Sequence, residues 1–481
     1  MVFQSIEYLL FLAAVLAFYF WLPGRGQNGF LVLASYVFYG WVHPWYVVLI
    51  VSVTLMDWIC ANGMEDSSTP QRKRAFFITA ITVNLAVLGG FKYFGFFVEN
   101  FTAALSAIGL MPAPLLLKIA LPAGISFFTF QSVSYAVDVY QGRTKACRSL
   151  IDYAAFVCFF PQLVAGPIER AAHMIPQYQT RRLAHWDHLR AGGVQLLWGL
   201  FQKVAIADNA ALLADKVFSL GDPSFPILWG GVIAFGVQIY ADFSGYTSMA
   251  RGSARLLGIE LCANFRHPYL SESPPEFWRR WHISLSTWFR DYVYIPLGGS
   301  RQGGWFWARN LFLTFLLSGF WHGAEWNYVL WGAFHGLLVV SWPTLTGRLP
   351  WLAPSSTAKP SLSGVGRILL TVTLMHVGWL FFREHSLAML MHQLTLNPLH
   401  ASAAEWRMGV ALALESIFYG FPLLVVFPLL DRFGVLRPGG ACGGAASWKW
   451  SLAQGLAAAA CVYGAVSLRC EAGADFIYFQ F

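Results

Sequence analysis

Apolar runs long enough to cross a lipid bilayer recur along the whole chain. Examples lie at residues 6–22, 76–98, 230–240 with its flanks, 368–382 and 416–430. Of the 481 residues, 57% are hydrophobic and only 12% are charged, a balance unsuited to a water-facing surface. Because one span needs about 20 residues, the runs predict an all-α, polytopic integral membrane protein with roughly 10–13 spanning or re-entrant segments.

The polar stretches between these runs are too small to fold on their own. The longest, at residues 343–366, 384–407 and 431–448, contain turn-formers and isolated charges and cannot bury a hydrophobic core. We therefore predict a single membrane domain over residues 1–481. Chemistry on a large polymer outside the membrane would then require a partner with its own binding surface.

Basic residues predict how the chain is oriented. The first apolar run has no small-residue cleavage site after it and is expected to stay as an anchor. Arg25 follows that run and a basic cluster at residues 72–74 follows the third, so both are predicted to be cytoplasmic and the N-terminus to lie outside. The net charge of +8 then reflects topology and attraction to anionic lipid, and no clustered basic-aromatic surface indicates nucleic acid binding.

Metal and disulfide chemistry have no support in the sequence. The seven cysteines form no C-x-x-C pair and lie mostly in apolar surroundings: Cys60, Cys147, Cys158, Cys262, Cys442, Cys461 and Cys470. The histidines form no H-E-x-x-H pair, so we predict no bound metal; His43, His376 and His385 are expected to be a turn, a core and a loop residue. Neither a G-x-S-x-G elbow nor a Walker loop is present, which excludes the usual soluble hydrolases and NTPases.

Three segments in the middle of the chain carry polar and helix-breaking residues unsuited to contact with lipid. Residues 115–141 mix Pro, Gly, Gln, Ser and Asp with aromatics, and residues 161–170 (PQLVAGPIER) are interrupted by two prolines and a glycine. Such residues are tolerated in a membrane where they line a cavity or pack against protein, so we predict broken or re-entrant segments. Asp242, in the third segment, needs a partner or a water-filled niche.

Residues 276–294 show a helical repeat with a histidine on the apolar side. Aromatic and aliphatic residues recur every three or four positions together with His282, whereas Arg279, Arg280 and Arg290 fall elsewhere on the helical wheel. The repeat predicts one amphipathic helix at or just below the membrane interface. Two interpretations stay open: an interfacial anchor with a tryptophan belt, or a helix that presents His282 to a cavity.

His322 lies in the apolar segment LFLTFLLSGFWHGAEWNYVLWGAFHG, where an ionisable side chain is costly and therefore a functional candidate. Glycines flank it in a G-x-x-x-G pattern, which allows a neighbouring helix to approach closely. Glu325 and Asn327 follow shortly after, and three polar side chains in an apolar window predict a wet pocket in which His322 transfers protons. His335 has the same glycine pattern, but there we favour ordinary packing of a hydrogen-bonded core histidine.

Several motifs together resemble one family. EFWRRWHISLSTWFRDYVYIPLGGSR followed by GFWHGAEWNYVLWGAFHG is similar to the signature of the membrane-bound O-acyltransferase (MBOAT) superfamily, in its bacterial branch for polysaccharide O-acetylation. The resemblance runs nearly end to end, through SYVFYGW, FKYFGFF, LVAGPIER, ADFSGY and the closing FIYFQF. It implies a ring of helices around a central tunnel. It also implies that His322 of the W-H-G motif is catalytic and that His282 of the W-H-I-S motif lines the same passage.

The resemblance further implies roles for residues around these histidines. His322 acts as general base on an acceptor hydroxyl, and a neighbouring donor such as His282 or Asn327 stabilises the tetrahedral oxyanion. The residues expected to line the tunnel or support the oxyanion are Asn327, Glu325, Trp321 and Trp281. Arg279 and Arg280 are candidates for contacts with the phosphates of CoA, although positive-inside topology explains them equally well.

The same resemblance implies the donor and the partners. Acetyl-CoA is the acyl donor on the cytoplasmic side of a bacterial inner membrane, and no cofactor is bound. Acetyl groups pass outward for O-acetylation of an exopolysaccharide, with alginate and acetylated cellulose both open as the polymer. The final transfer falls to a periplasmic acetyltransferase that resembles SGNH hydrolases, acting with the polysaccharide synthesis machinery.

Two other functions stay open. One is a related enzyme with another donor or acceptor, in peptidoglycan O-acetylation or in D-alanyl transfer to teichoic acid. A carrier-protein donor needs a docking surface, whereas CoA needs a phosphate site. The donor that supports acyl transfer therefore distinguishes the related enzymes from an enzyme that uses acetyl-CoA. The other is a proton-coupled transporter whose histidines form a relay, although the sequence shows no inverted repeat.

Overall fold

The computed structural model describes residues 1–41, 43–110, 121–301, 303–353, 361–432, 448–469 and 476. Helices supply the regular structure of these residues and no strand occurs among them, so the prediction of an all-α protein is confirmed. Cys442, Cys470 and residues 477–481 lie outside the described residues. The chain divides into two compact units, residues 1–189 with 253–262 (unit 1) and residues 190–252 with 263–481 (unit 2).

Unit 1 is built from helices α1 to α9. Their bounds are α1 Ile6–Tyr19, α2 Gly24–Gly40, α3 Trp45–Glu65, α4 Pro70–Leu88, α5 Phe94–Ala107, α6 Ile125–Tyr140, α7 Leu150–Cys158, α8 Phe160–Leu163 and α9 Ala171–Tyr178. A π-helical turn, Gly89–Tyr93, joins α4 to α5. Local capping fixes where helices begin. At the start of α1 the side chain of Ser5 accepts a hydrogen bond from the backbone N–H of Tyr8. At the start of α4, just before Pro70, the side chain of Thr69 likewise accepts a hydrogen bond from a backbone N–H of the first turn.

Unit 2 contains most of the remaining helices. Their bounds are α10 Trp186–Phe201, α11 Asp208–Phe218, α12 Phe225–Leu256, α13 Pro274–Arg280, α14 Ile283–Phe289, α15 Gly304–His322, α16 Trp326–Arg348, α17 Leu362–Arg383, α18 Leu387–Leu394, α19 Ala403–Phe421, α20 Phe427–Arg432 and α21 Trp448–Ser467. Three π-helical turns, Gln202–Ala207, Arg290–Tyr294 and Pro422–Val426, interrupt or extend these helices. Such turns often mark functional sites.

Within the described residues, seven helical stretches are long and apolar enough to cross a membrane: Trp45–Glu65, Pro70–Ala107, Trp186–Phe218, Phe225–Leu256, Trp326–Arg348, Leu362–Arg383 and Ala403–Arg432. Two shorter apolar stretches are Ile6–Tyr19 and Leu150–Leu163. Four of the five apolar runs identified in the sequence fall inside these seven helical stretches. The fifth run, at residues 6–22, corresponds to the shorter helix α1. The larger number of segments and the ring around a tunnel stay predictions.

In the first polar mid-chain segment, residues 115–120 lie outside the described residues, and residues 125–140 form the continuous helix α6, so within the described part the chain is interrupted only before this helix. All but two of the residues of α6 are buried, including its Ser, Thr, Gln and Asp side chains. The interruption lies just before the helix, at Gly124, whose φ is +77° and whose missing Cβ would lie 2.3 Å from the carbonyl oxygen of Leu163. Because the polar side chains pack against protein, they require no break in the helix. In the second segment the prediction is confirmed, since α8 ends at Leu163 and no further helix begins until Ala171.

Asp242 has the partner that its position requires. It lies in α12, and its Oδ1 atom is 3.1 Å from Lys203 Nζ, which also lies 2.8 Å from Asp208 Oδ1. All three side chains are buried. A buried charge is strongly unfavourable unless it is paired, so the lysine accounts for both carboxylates in this apolar part of the chain.

The helix predicted over residues 276–294 is interrupted, and the prediction of one continuous helix is wrong. Helix α13 ends at Arg280, Trp281 is extended, and His282 adopts the left-handed region with φ 43° and ψ 54° before α14 begins. This conformation is unfavourable for any residue with a side chain. The periodicity did not show the interruption because one residue in a left-handed conformation changes the direction of the chain without altering the spacing of the apolar residues.

Candidate active site

Both candidate histidines line one cavity inside unit 2. The cavity has a volume of about 280 Å³, and its walls come from α13, α14, α15, the turn Arg290–Tyr294 and Val339 of α16. His282 enters from the junction of α13 and α14, and His322 from the end of α15. Pockets for drug-sized ligands measure ~300–1,000 Å³, so this cavity, near the lower end of that range, has room for an acyl group and an acceptor hydroxyl.

Asn264 fixes the position and the tautomer of His282. Its side-chain oxygen accepts a hydrogen bond of 3.2 Å from the backbone N–H of Ser284 and one of 2.9 Å from the Ser284 hydroxyl. The same oxygen lies 3.1 Å from Nδ1 of His282. A backbone N–H can only donate, so this atom of Asn264 is the acceptor, and Nδ1 of His282 carries the proton. In the neutral imidazole the lone pair is then on Nε2.

His322 is the last residue of α15, in a hairpin where two helices are in backbone contact. A Cβ added to Gly319 would lie 2.2 Å from the carbonyl oxygen of Tyr328 and 3.0 Å from Gly332 Cα. The close approach predicted from the G-x-x-x-G pattern is therefore confirmed. Because the C-terminal end of a helix carries partial negative charge, α15 favours the imidazolium that forms when His322 takes a proton.

Aromatic rings surround the imidazole of His322. Ring centroids lie 5.0 Å away for Trp321, 5.1 Å for Trp331 and 5.4 Å for Phe382. Trp321 also lies 6.3 Å from the ring of His282, so this indole contacts both histidines. Trp281, by contrast, lines the cavity itself. The packing restricts the orientation of His322 and leaves it buried at 4% exposure.

The two predicted arginines have different environments. Arg279 is exposed and lines the cavity, as does the exposed Arg290. Arg280 instead pairs with Glu276 of its own helix at 2.5 Å, one turn earlier. Arg290 pairs with the neighbouring Asp291 at 2.8 Å. Positive charge at the cavity therefore comes from Arg279 and Arg290. The helical repeat had placed both residues away from the apolar face that carries His282.

Glu325 and Asn327 do not line the cavity with His322, although the sequence predicts all three in one wet pocket. Glu325 precedes α16, is exposed, and its carboxylate lies 2.7 Å from Nδ1 of His385. Asn327 is buried, and its amide donates a 3.3 Å hydrogen bond to the carbonyl of Phe381. Neither belongs to the described lining of the cavity. The cause is the end of α15 at His322, since the chain turns there and α16 directs the following side chains elsewhere.

The remaining predicted histidines lie away from the cavity. His335 is buried between Trp278 and Trp331, and neither of its ring nitrogens has a hydrogen-bonding partner among the described residues. The core position predicted for it is thus confirmed, but no hydrogen bond accompanies it. His376 is a core residue whose Nδ1 lies 2.8 Å from the carbonyl of Val372, and His385 is the loop residue already described.

Comparison with known proteins identifies the family. The model of the membrane-bound O-acyltransferase family, MBOAT, matches residues 146–348, which contain the whole cavity. The probable alginate O-acetylase AlgI of Pseudomonas putida is 36% identical over 505 aligned positions, covering 100% of both chains. This chain belongs to the MBOAT family. It is an acyltransferase and a multi-pass membrane protein.

Two further relatives differ in the polymer that their names specify. The peptidoglycan O-acetyltransferase of Helicobacter pylori is 33% identical over 433 positions, covering 82% of this chain and 80% of the relative. The teichoic acid D-alanyltransferase of Streptococcus thermophilus is 32% identical over 232 positions, covering 45% of this chain and 55% of the relative. The acyl group and the acceptor thus vary among the family members that this acyltransferase resembles.

Sequence reasoning missed several residues of the acyltransferase cavity. Thr314 and Ser318 precede His322 by two turns and one turn of α15, and all three side chains line the cavity. Their spacing of four residues was a signal in the sequence, because such residues share one helix face. Asn264 had no such signal: it lies 18 residues before His282 in an irregular segment, and only the fold brings the two side chains together.

Proposed function

We propose that this acyltransferase takes acetyl groups from cytoplasmic acetyl-CoA and passes them across a bacterial inner membrane for O-acetylation of an extracytoplasmic exopolysaccharide, of the alginate or acetylated-cellulose type. The proposal rests on one observation: His322 and His282 line a single cavity together with the exposed Arg279. The similarity to the alginate O-acetylase of P. putida, which covers both chains in full, supports this choice of polymer class.

His322 is the general base of the proposed reaction. Its imidazole takes the proton of an acceptor hydroxyl, whose oxygen attacks the thioester carbonyl of acetyl-CoA. The tetrahedral intermediate then collapses, the bond from carbon to sulfur breaks, and the CoA thiolate receives the proton back from the imidazolium. The helix end beside His322 favours the charged imidazolium between the two steps.

His282 is better suited to accept a hydrogen bond than to donate one. Because Asn264 holds the proton on Nδ1, the Nε2 atom of His282 can only accept a hydrogen bond, which suits it to orient the acceptor hydroxyl beside His322. The oxyanion therefore needs another donor. Trp278 lines the cavity, and its buried indole N–H has no hydrogen-bonding partner in the part of the chain that the structure describes. If this N–H stabilises the oxyanion, Trp278→Phe will lower kcat with little change in KM.

Arg279 and Arg290 supply the positive charge that the phosphates of CoA would meet at the cavity. The proposed orientation puts the N-terminus in the periplasm, where an acetyltransferase that resembles SGNH hydrolases carries out the final transfer to the polymer. Partner and orientation follow from the family resemblance and from the positions of the basic residues.

The test is release of CoA from acetyl-CoA by the purified protein in nanodiscs, with its periplasmic partner or a surrogate acceptor. We expect His322→Ala to lose at least about 10²-fold in turnover, because general base catalysis contributes ~10²–10⁴. His335→Ala is the matched control, since it removes a second buried imidazole from the same hairpin but away from the cavity. His282→Ala should fall between the two.

Three results would change the proposal. Wild-type turnover in a folded His322→Ala protein would remove the general base. Acyl transfer from a D-alanyl carrier protein but not from acetyl-CoA would favour the alternative in teichoic acid modification, and acetylation of peptidoglycan alone would favour the other relative's polymer. Failure of the wild-type protein to release CoA with any partner would revive the histidine relay of a proton-coupled transporter.

A further inference from the structure

The charged groups that line the cavity are all basic. Arg279 contributes a guanidinium from the last turn of α13, and Arg290 contributes another from the turn that follows α14. Neither aspartate nor glutamate occurs among the lining residues that the structure describes. The imidazoles of His282 and His322 are neutral or positive, so they add no negative charge. A cationic substrate group would therefore enter a cavity whose own charge is positive.

The charge of Arg279 is the less compensated of the two. Glu276, one turn earlier on α13, pairs with Arg280 at 2.5 Å instead. Arg290 pairs with Asp291 at 2.8 Å, which offsets part of its charge. Arg279 forms no ion pair with the residues that the structure describes, so its charge acts on whatever occupies the cavity.

The lining also contains neutral groups that suit a small polar acyl group. Ser286, Thr314 and Ser318 contribute hydroxyl groups. Ser286 donates its hydroxyl hydrogen to the carbonyl of Trp281 at 3.3 Å, and Thr314 donates to that of Asn310 at 2.6 Å. A hydroxyl oxygen that donates in this way can still accept a hydrogen bond. These oxygens can therefore receive the hydroxyl of a substrate, but they cannot neutralise a charge.

We infer that the cavity selects its acyl group by charge: short, uncharged acyl groups such as acetyl and D-lactoyl react, whereas one with an ammonium group at C2, such as D-alanyl, is excluded. The inference rests on the proposed function, because it takes this cavity as the place where a CoA thioester reacts. Size does not separate D-lactoyl from D-alanyl, since the two acyl groups have the same number of heavy atoms. Only the charge differs.

The physical cause is repulsion between like charges. The ammonium group meets the guanidinium of Arg279 and, once the acceptor hydroxyl has lost its proton, the imidazolium of His322. Like charges brought together are strongly unfavourable, and a protein interior screens them less than water does. The aromatic rings of the lining attract cations, but more weakly than unscreened like charges repel. The reaction itself is unchanged: the bond from acceptor oxygen to acyl carbon forms, the bond from carbon to sulfur breaks, and the proton passes through His322 to the thiolate.

The experiment compares acetyl-CoA, D-lactoyl-CoA and D-alanyl-CoA as donors for the purified full-length protein in nanodiscs at pH 6.5, with one acceptor throughout. An α-amino group has an ordinary pKa of ~7.7–8.0, so it carries its proton at this pH. The same thioester carrier in all three donors removes any contribution from a carrier protein. We expect kcat/KM for D-alanyl-CoA to be at least about 10²-fold below that for D-lactoyl-CoA, because of the like charges.

Ser318→Asp tests whether charge is the cause. The substitution puts a carboxylate on the lining one turn before His322, and Ser318→Asn is the matched variant with the same shape and no charge. The ratio of kcat/KM between D-alanyl-CoA and D-lactoyl-CoA cancels any loss of activity that both donors share. This ratio should be at least about tenfold higher in Ser318→Asp than in Ser318→Asn, because a carboxylate attracts the ammonium group.

Two results overturn the inference: similar kcat/KM for D-alanyl-CoA and D-lactoyl-CoA in the wild type, or the same ratio in Ser318→Asp and Ser318→Asn. The wild-type comparison needs no variant, so it decides alone if Ser318→Asp does not fold. Failure of the proposed function gives a different result, because acetyl-CoA and D-lactoyl-CoA then release no CoA either.

Discussion

His322 and His335 have nearly the same sequence setting but different environments. Each lies in a G-x-x-x-G pattern beside aromatic residues, each is almost fully buried, and both belong to the α15–α16 hairpin. His322 ends its helix and lines the cavity. His335 lies in the middle of α16, where Trp278 separates it from the cavity and its Nε2 would be only 2.3 Å from a Cβ on Gly378.

The difference shows that the glycine pattern sets how closely helices approach and not which imidazole can react. Close approach at Gly319 and Gly332 brings the two backbones together. Access then depends on whether a cavity or another helix lies against the histidine. For His322 it is a cavity with room for a reacting group, and for His335 it is the backbone of α17 at Gly378.

The largest expected effect comes from removing the cavity while leaving His322 in place. Ser318→Trp puts an indole on the lining one turn before His322, so the space for substrate is lost. We expect acyl transfer to fall by about 10²-fold or more, the size of losing general base catalysis, in a CoA-release assay. His322 would then resemble His335, buried and without access.

A neighbouring substitution controls for the bulk of the new side chain. Leu317→Trp adds the same indole at the adjacent residue, which is 46% exposed and does not line the cavity. This variant should keep near-wild-type turnover. Equal turnover in Ser318→Trp and Leu317→Trp would show that the cavity is not where the chemistry takes place.

A smaller effect is expected from Asn264, which positions His282. Asn264→Ala removes the acceptor that holds the proton on Nδ1 and supports the left-handed backbone. Loss of the partner that orients a metal-bound histidine costs ~10–100-fold in activity, and we expect kcat to fall by a similar factor here. Asn264→Asp keeps an oxygen acceptor and should recover most of the activity. Equal losses in both variants would mean that Asn264 maintains the fold and does not set the tautomer of His282.

Much of the fold followed from the sequence because its signals are local. Span length and composition predicted the apolar helices, and the G-x-x-x-G pattern predicted the close contact of α15 with α16. Helical periodicity failed at residues 276–294, where a single left-handed residue, His282, divides the predicted helix. A backbone conformation of this kind depends on long-range contacts such as those of Asn264, which no repeat in the sequence records.

The candidate site was predicted only in part for the same reason. His282, His322, Trp281 and Arg279 do line one cavity. The short spacing in sequence predicts Glu325 and Asn327 beside His322. The end of α15 directs them elsewhere, and the cavity's further polar residues come from the preceding turns of the same helix.

The smallest effect should come from replacing His335 itself. Neither ring nitrogen has a hydrogen-bonding partner in the described residues, and aromatic side chains enclose the imidazole. Removing an unpaired buried polar group in favour of an apolar one can be neutral or stabilising, although phenylalanine is larger and Gly378 is close. We expect His335→Phe to change the free energy of unfolding by no more than ~1.5 kcal/mol and turnover by less than about twofold. A loss of turnover comparable to that of His322→Ala, in a protein with normal Tm, would show that His335 takes part in the reaction and that enclosure by α17 does not separate the two histidines.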